Sequence, residues 1–338
     1  MDSTDLQVLR NAVAWLDAGH QVTLVTVAET WGSAPRPPGA WALVRDDGVL
    51  VGSVSGGCIE DDLVQRMRDG KLINQPAEIV TYGVTRDEAA RFGLPCGGTL
   101  RLVIESAPDA SQMRQLLQRI SAGQLTARQL DLASGRTTLA DASSQDTLQW
   151  DGKQLTTIHG PPLRLLIIGA GQISGYLASM AQALDYAVTV CDPREEYRAA
   201  WQVANVALSA EMPDDAVLAL NADARTAIVA LTHDPKLDDM ALLEALKSPA
   251  FYVGALGSRA NTVKRKQRLQ EHFDLSQDEL DRLHGPVGLR IGSRTPPEIA
   301  VAILAEMIAV RHGVPAQNVV HKAGETTGTT TGASCSAA

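Results

Sequence analysis

Two cysteines in the N-terminal half of the chain each adjoin a pair of glycines, in the runs Gly56-Gly57-Cys58 and Cys96-Gly97-Gly98. Cys58 comes at the start of a predicted helix, where the helix dipole stabilises a thiolate and lowers the thiol pKa. Backbone amides in glycine-rich turns can also form a nest that binds an anion. We therefore predict that the two cysteines share one site. The alternative is that each is simply a small buried side chain.

The first turn of the helix after Cys58 is acidic, with Glu60, Asp61 and Asp62. Carboxylates at this end of a helix are stabilised by its dipole, and we favour that interpretation over a metal site. The sequence contains no CxxC pair, so a structural zinc site is not predicted.

A second candidate site begins with the apolar run Leu165–Ile168, which leads into Gly169-Ala170-Gly171 and then a helical segment. A second apolar run follows and ends at Asp192, which completes the order of a dinucleotide-binding βαβ unit. Gly169 allows the turn, Gly171 lets a pyrophosphate approach the helix N-terminus, and Asp192 accepts from a ribose hydroxyl. Ser174 occupies the third glycine position, where a small side chain still packs. The alternative is a Rossmann fold that serves only as a scaffold.

Further candidates follow later strands of the same predicted sheet. His233 comes after the strand Thr226–Leu231, and the run Gly254–Arg259 comes after the next strand. Ser258 is placed to cap the basic helix that follows it. Ligands of open parallel sheets bind at the carboxyl ends of strands, so we expect His233, Ser258 and Arg259 near Gly169. His233 can equally be a hydrogen-bonded loop residue, and the basic helix a solvated face.

A glycine-rich approach with two arginines, Arg290 and Arg294, precedes the last long helix. Thr295-Pro296-Pro297-Glu298 fits a capping box with proline at the first helical position. This chemistry suits an anion, and plain capping beside exposed arginines is the alternative.

Composition excludes several classes of function. The 338 residues suggest two domains, and a net charge of −9 argues against a general nucleic-acid surface. No apolar stretch is long enough to span a membrane, and no signal-peptide pattern opens the chain. Four irregularly spaced cysteines fit a reducing compartment, so we expect a cytoplasmic protein.

The elements that position these residues predict an α/β protein. An N-terminal α+β domain with Gly-Cys turns is expected over 1–160, including a variable meander of short strands over 107–159. A Rossmann-like, doubly wound parallel sheet is expected over 161–322, and a disordered Gly/Thr/Ser/Ala tail over 323–338.

Two helices of the second domain carry specific expectations. In the segment from Lys236 to Lys247 the residues predicted to face inward are Leu237, Met240, Leu243 and Leu246. In the last helix Ile299, Ile303 and Met307 are predicted to face inward. The apolar segment Ile299–Val310 suits a core or a dimer interface, so a homodimer stays open.

Eight blocks of this sequence resemble the xanthine dehydrogenase accessory factors, the XdhC/CoxI family. They occur in family order from about Val22 to Arg311, and are ETWGSAPRPPGA, VGSVSGGCIEDDLV, LPCGGTLRLVIE, LLIIGAGQISGYLA, VTVCDPR, LTHDPKLDD, YVGALGSRAN and GPVGLRIGSRTPPEIAVAILAEM. Gln172 departs from the histidine that many relatives have there.

The resemblance implies a cofactor-binding chaperone rather than a turnover enzyme. Such proteins bind the molybdenum cofactor, support its sulfuration by a cysteine desulfurase, and insert it into the apoenzyme of a molybdenum hydroxylase of the xanthine dehydrogenase/aldehyde oxidase type. Cys58 and Cys96 would then face the molybdenum or its sulfur, because thiolates are soft ligands. The glycine turns and Arg36 would suit the cofactor's phosphates. The Rossmann domain would bind NAD(P) or the nucleotide half of a cytosine dinucleotide form of the cofactor.

Two other functions stay open on the sequence. One is an NAD(P)-dependent oxidoreductase with His233 as acid or base, although no lysine, tyrosine or second acid clearly accompanies that histidine. The other is a nucleotide-sensing adaptor that contacts the hydroxylase without touching the cofactor.

Overall fold

The computed structural model describes residues 3–31, 36–72, 76–83, 99–143 and 145–314, and the backbone but not the side chain of Cys58. Cys96, Gly97, Gly98 and the predicted tail 323–338 lie outside the described residues. The chain divides into two compact units, Met1–Leu163 and Arg164–Ala338.

The first unit combines helices with antiparallel strands. Its elements are α1 (Ser3–Asp17), β1 (Val22–Trp31), β2 (Trp41–Arg45), β3 (Leu50–Gly52), α2 (Cys58–Arg68), β4 (Ala77–Tyr82), β5 (Thr99–Ser106), α3 (Ala110–Ser121), β6 (Thr126–Asp131), β7 (Thr137–Asp141), β8 (Gln149–Trp150) and β9 (Gln154–His159).

A five-stranded sheet of order β3-β2-β1-β5-β4 lies at the centre of this unit. Strand β1 is buried over seven consecutive residues because helices cover both faces of the sheet. Leu24 packs in the cluster that holds α1 and α3, whereas Val25 and Val27 pack with Ile59 and Leu63 of α2. The sheet therefore fixes α2, and with it the backbone of Cys58 at the helix N-terminus.

The remaining strands form a four-stranded sheet of order β7-β6-β9-β8. The predicted meander is wrong in its order, because β6 pairs with β9 as well as with β7. Leu130 of β6 and Leu155 of β9 share a buried cluster with Val103 of β5. Pairing the two most buried strands at the centre puts both leucines against the larger sheet.

A buried ion pair joins the two sheets of the first unit. Arg128 Nη2 donates to both carboxylate oxygens of Glu105, at 2.7 and 2.6 Å, and the two side chains are 2% and 3% exposed. The His159 ring contacts the Trp41 ring in a tilted arrangement, with centroids 4.4 Å apart and an interplanar angle of 42°. Burial lowers the pKa of His159 well below its ordinary value, so its ring is neutral at pH 7.

The second unit alternates strands and helices. Its elements are β10 (Leu163–Ile168), α4 (Gln172–Ala183), β11 (Tyr186–Cys191), α5 (Glu195–Ala199), β12 (Ala207–Ser209), α6 (Pro213–Ala219), β13 (Thr226–Ala230), α7 (Pro235–Ala245), β14 (Tyr252–Ala255), α8 (Arg259–Phe273), α9 (Gln277–Asp281), β15 (Leu283–His284) and α10 (Pro296–Arg311).

These strands build a six-stranded sheet of order β12-β11-β10-β13-β14-β15, with parallel pairing of β13 to both β10 and β14. Numbered within the unit, this is the order 3-2-1-4-5-6 of a Rossmann fold. The predicted fold class is therefore confirmed. The strand order reverses between β10 and β13, and ligands of this fold bind at that point, beyond the carboxyl ends of the strands.

The prediction of the inward face of α7 is confirmed at Leu246 and in part at Leu243, which packs half-buried against the core, but it is wrong at Leu237 and Met240. The residues buried in α7 are Asp238, Asp239, Ala241, Leu242 and Ala245, whereas Leu237, Met240 and Leu243 are only half-buried. Two aspartates can face inward because arginines of α8 pair with them, as shown below. Met240 and Leu243 consequently line a groove on the surface.

The last helix, α10, buries Ile303 and Met307 as predicted, and leaves Ile299 half-buried. Val301 and Ile308 on its other side are exposed. Within the described ranges, none of the helices has both the length and the apolar character needed to cross a bilayer.

The Arg128–Glu105 pair gives a test of the first unit's core. We expect Arg128→Met to lower the free energy of unfolding by about 3–5 kcal/mol, because it leaves the Glu105 carboxylate buried without its cation. The double variant Arg128→Met/Glu105→Leu should recover most of this loss, since no unpaired charge remains. Urea unfolding followed by circular dichroism measures both, and equal losses in the two variants would contradict the assignment.

Candidate functional site

The turn before Cys58 is built around the carboxylate of Glu60. Oε1 accepts from the amides of Val54 (2.8 Å), Ser55 (2.8 Å) and Gly56 (3.2 Å), and Oε2 accepts from the amide of Gly57 at 2.8 Å. The hydroxyls of Ser53 and Ser55 donate to the same carboxylate. We call residues 53–60 the Glu60 loop.

The Glu60 loop is thus an anion nest whose anion is part of the protein. Burial on its own raises the pKa of Glu60, but the hydrogen bonds from Ser55, Ser53 and Val54 outweigh it and lower the pKa from about 4.5 to about 2. The amides of Gly56 and Gly57, which the sequence suggested for a ligand's anion, donate to this carboxylate. Glu60 therefore does more than complement the helix dipole.

Two glycines in the left-handed region allow the chain to make this turn. Gly56 has φ +86° and Gly57, the N-cap of α2, has φ +151°. An L side chain is strained at either value. The turn delivers Cys58 as the first residue of an 11-residue helix, whose dipole favours a thiolate there.

The described residues on either side of the Cys96 segment lie close to each other, and those before it lie close to α2. This segment leaves after Gly83 and returns at Thr99, whose Oγ1 donates to the Gly83 carbonyl at 3.3 Å. Tyr82, next to Gly83, donates its hydroxyl to Asp62 of α2 at 2.7 Å. Arg36 has its Nη2 3.6 Å from Asp5 Oδ1. Across the described parts of the chain, no three metal-ligating side chains converge on one point.

In the second unit, the two glycines of the β10–α4 turn have different roles. Gly169 has φ +102°, and a Cβ there would lie 2.9 Å from Thr232 Cα, so only glycine fits. Gly171 is extended, at φ −88°, and a Cβ there would meet no atom within 4 Å. Gly171 is the N-cap residue of α4, and because it has no side chain it makes no side-chain hydrogen bond to the first turn of the helix. The space beside it is open.

Asp192 is completely buried beside this turn. Its Oδ2 accepts from the Ala170 amide at 2.9 Å and from Arg194 Nη2 at 2.8 Å. Its Oδ1 accepts from the backbone amide (3.0 Å) and Nε (2.9 Å) of Arg194. These bonds lower the pKa of Asp192 despite its burial. The arrangement differs from the open carboxylate that a ribose contact requires. Arg194, rather than Asp192, reaches the surface beside this turn. Its Cζ lies 3.8 Å from the centroid of the Tyr197 ring.

Ser174 lies in the first turn of α4 and is completely buried. Its hydroxyl has no hydrogen-bond partner among the described residues. It fills the small packing position expected of the third glycine.

A cavity of about 230 Å³ opens at the carboxyl ends of β13 and β14. We call it the β13–β14 cavity. Basic side chains predominate in its lining, which consists of His233, Pro235, Asp238, Leu256, Gly257, Asn261, Lys264, Arg265 and Arg268. The predicted cap is confirmed, since Ser258 Oγ accepts from the Asn261 amide at 3.1 Å. His233 joins this cavity, as its position after β13 predicts, whereas Arg259 is exposed outside it.

Sequence reasoning missed the residue that holds this cavity together, Arg265. Its Nη2 donates to Asp238 (2.9 Å), its Nε to Asp239 (3.0 Å) and its Nη1 to the Leu256 carbonyl (3.1 Å). Asp238 also accepts from the amide and hydroxyl of Thr232, at 3.1 and 2.7 Å. The sequence signal for this ion-pair cluster was the presence of two adjacent aspartates, Asp238 and Asp239, in a helix with few other polar residues.

A second cavity, of about 380 Å³, lies beside the loop that precedes α10. Arg290 and Ser293 line it, whereas Arg294 is exposed and is not part of the lining. The predicted capping box is confirmed, and its Glu298 carboxylate accepts from the amides of Arg294 (2.7 Å) and Thr295 (2.9 Å). As in the Glu60 loop, a carboxylate of the protein accepts the hydrogen bonds of the backbone amides at this turn.

Together these features define a two-unit protein: an α+β unit that presents a cysteine on a glycine turn, and a Rossmann unit with an open glycine turn. The profile of the XdhC Rossmann domain matches residues 165–307, and that of the XdhC and CoxI family matches residues 15–83. The chain belongs to the XdhC and CoxI family.

Relatives match nearly the whole chain. The molybdenum cofactor insertion chaperone PaoD of Escherichia coli (strain K12) is 29% identical over 313 residues, which are 90% of this chain and 88% of PaoD. A probable xanthine dehydrogenase subunit of Bacillus subtilis (strain 168) is 25% identical over 336 residues, covering 89% and 96%. A crystal structure described as a xanthine dehydrogenase from Bacillus halodurans has a TM-score of 0.71 at 23% identity, covering 92% and 96%, which supports the fold.

The Glu60 loop makes a pH-dependent prediction. Because the folded pKa is depressed, the Glu60 carboxylate stabilises the fold above pH 4.5, and this contribution disappears as the pH falls towards 2. We expect Glu60→Gln to cost on the order of 2 kcal/mol at pH 7, since an amide cannot accept from all six donors. The difference should shrink below pH 4.5. Urea unfolding at pH 7 and pH 3.5 measures it, and a difference independent of pH would contradict this role.

Proposed function

We propose that this protein is a chaperone that binds the molybdenum cofactor and inserts it into a molybdenum hydroxylase of the xanthine dehydrogenase/aldehyde oxidase type. Similarity to PaoD over 90% of the chain supports the class of function. The structural observation that carries the proposal is the Glu60 loop, which uses a buried carboxylate and two left-handed glycines to hold one cysteine at a helix N-terminus.

Chemistry favours this use of the cysteine. A thiolate is a soft ligand suited to molybdenum or to a terminal sulfur atom, and the dipole of α2 stabilises it without a neighbouring cation. A cargo must also be released, and one or two thiolates on a turn hold a metal less tightly than a closed ligand cage. We place Cys58, with Cys96 as its partner, at the molybdenum or its sulfur.

Sulfuration of the cofactor is the finer part of the proposal. A nucleophilic thiolate can hold sulfur supplied by a cysteine desulfurase before it reaches the cofactor. The same two cysteines serve this step, so the desulfurase is a proposed partner beside the apo-hydroxylase. Because the Gly56 and Gly57 amides bind Glu60, the cofactor's phosphates must find other donors, and Arg36 is the candidate in the first unit.

The second unit is proposed to bind a nucleotide. Its Rossmann strand order, the open space at Gly171 and the uncapped N-terminus of α4 suit a pyrophosphate. NAD(P) and a cytidine nucleotide are the two candidates. The β13–β14 cavity with His233 and Lys264 adjoins the same strand ends and suits a further anionic group.

The cysteine assignment has a direct test. We expect Cys58→Ala and Cys96→Ala each to lower the molybdenum and pterin content of protein isolated from a host that makes the cofactor, by roughly tenfold, because a soft ligand is lost. The protein should stay folded. Metal analysis and pterin fluorescence after oxidation measure the content.

The control for this experiment is Cys191→Ala. Cys191 is buried, donates to the Glu211 carbonyl, and has its pKa raised by burial to about 11, so its thiol is inert. Cofactor content should therefore not change in this variant. If Cys58→Ala and Cys96→Ala both carry and deliver sulfurated cofactor as well as the parent protein does, the assignment of these two cysteines to the cofactor site is wrong.

The nucleotide assignment is tested at Gly171. Gly171→Ala should leave the thermal stability nearly unchanged, because the new Cβ meets no atom, yet weaken nucleotide binding by roughly tenfold. Calorimetric titration with NADH, NADPH and CDP measures the affinities. Unchanged affinity for every nucleotide bound by the parent would remove Gly171 from the site. Hydride transfer from NADPH that is lost in His233→Ala would instead indicate an oxidoreductase.

A further inference from the structure

Two neighbouring cavities of the second unit share one turn of the chain. The β13–β14 cavity and the cavity of about 380 Å³ before α10, which we call the Arg290 cavity, are both lined by Leu256 and Gly257. This turn follows β14 and leads into α8. A ligand placed on Gly257 can therefore reach both cavities. The volume of the Arg290 cavity is within the range of small-molecule sites, about 300–1,000 Å³.

The cations that line these cavities are of two kinds. Arg265 and Arg268 are neutralised by the two aspartates of α7. Lys264 in the β13–β14 cavity and Arg290 in the other differ, because neither side chain makes an ion pair or a hydrogen bond with a described residue. Two positive charges beside the Gly257 turn thus have no counter-charge in the described ranges of the chain.

The carboxylates of this region do not oppose an incoming anion. Asp238 lines the β13–β14 cavity, but it already accepts from Arg265 and Thr232. Asp234 and Glu298 accept backbone amides at the N-termini of α7 and α10, and neither carboxylate lines either cavity. The unmatched charges of the two linings are therefore positive.

Neutral hydrogen-bond donors surround the same turn. The amides of Arg259 and Ala260, the first two residues of α8, donate to no acceptor among the described residues. The hydroxyl of Ser293, a residue of the Arg290 cavity, is buried and also without a partner in the described ranges. Helix N-terminal amides, a hydroxyl, a lysine and an arginine are groups with which proteins bind phosphate.

The Gly257 turn lies in the same crevice as the open Gly171 turn. The sheet order places β13 between β10 and β14, so the end of β13 separates the two turns. A Cβ on Gly169 would lie 2.9 Å from Thr232 Cα, and the next residue, His233, lines the β13–β14 cavity. A ligand bound at Gly171 can consequently extend across the end of β13 to Gly257.

We propose that the Gly257 turn, together with Lys264 and Arg290, binds a terminal phosphate group at a position separate from Gly171. The inference rests on the proposed function in that it extends the same nucleotide-binding crevice. It assigns to the second unit a phosphorylated organic ligand that is held at two places, by the amides of the Gly171 turn and by these two cations. A terminal phosphate suits the second place, because its free oxygens can accept from several donors at once.

Calorimetric titration of the full chain with inorganic pyrophosphate tests this proposal. We expect the double variant Lys264→Gln/Arg290→Gln to bind about one equivalent fewer than the parent, and each single variant to weaken that equivalent by roughly tenfold. Added salt should weaken it as well. Both side chains make no bond within the described fold, so the melting temperature should stay unchanged.

The matched control is Lys247→Gln, which removes the same charge from the same unit. Lys247 is exposed, follows the C-terminal end of α7 and lines neither cavity. Pyrophosphate should bind this variant as it binds the parent. Gly171→Ala should lose a different equivalent, so that combining it with Lys264→Gln/Arg290→Gln removes both.

Each outcome separates this inference from the nucleotide site at Gly171. If the double variant loses an equivalent that Gly171→Ala retains, and Gly171→Ala loses none, the inference stands and the Gly171 assignment is wrong. Pyrophosphate binding unaffected by Lys264→Gln/Arg290→Gln, or weakened equally by Lys247→Gln, overturns the inference alone. If the combined variant loses no more than Gly171→Ala, the two positions are one site and the inference is also wrong. A parent protein that binds no pyrophosphate overturns both.

Discussion

The guanidinium of Arg265 holds together the carboxyl-terminal edge of the parallel sheet in the second unit. It pairs with Asp238 and Asp239 of α7 and donates to the Leu256 carbonyl beyond β14. Through Asp238 it also reaches Thr232, whose backbone lies so close to Gly169 that no Cβ fits between them. One buried charge cluster therefore connects the ends of β10, β13 and β14. The same cluster turns α7 so that its two aspartates face inward and Met240 is only half-buried.

Carboxylates accept backbone amides at three turns of this protein, and two of them, Glu60 and Asp192, are buried, whereas Glu298 is exposed. Glu60 accepts from four amides before Cys58, Asp192 accepts from the Ala170 amide in the β10–α4 turn, and Glu298 accepts from two amides before α10. In each case a carboxylate of the protein occupies backbone amides that a glycine-rich or helix-initiating turn would otherwise offer to the anion of a ligand. A turn whose donors are satisfied internally is held in one conformation by its own hydrogen bonds. The Gly171 turn differs, because it remains open at the N-terminus of α4.

The sequence predicted much of the fold because local signals and the required topology agreed. Ser258 and Thr295 predicted two helix caps that the structure confirms. Errors arose where long-range pairing decides. Hydropathy placed Met240 inside, although paired aspartates occupy the inner face of α7. Strand patterns suggested a meander, although the burial of Leu130 and Leu155 brings β6 and β9 together.

For the candidate site, the sequence by itself determined the positions of its chemistry: a cysteine after two glycines, a GxG turn after a strand, and a histidine after another strand. These are local features, because backbone torsion and strand order follow from neighbouring residues and from the parallel topology. Only the tertiary structure decided which donors and acceptors are already used. Glu60 and Asp192 look like available acids in the sequence, but burial and hydrogen bonding commit them to the turns beside them. Such commitments depend on three-dimensional contacts, and the linear order of residues does not encode them directly.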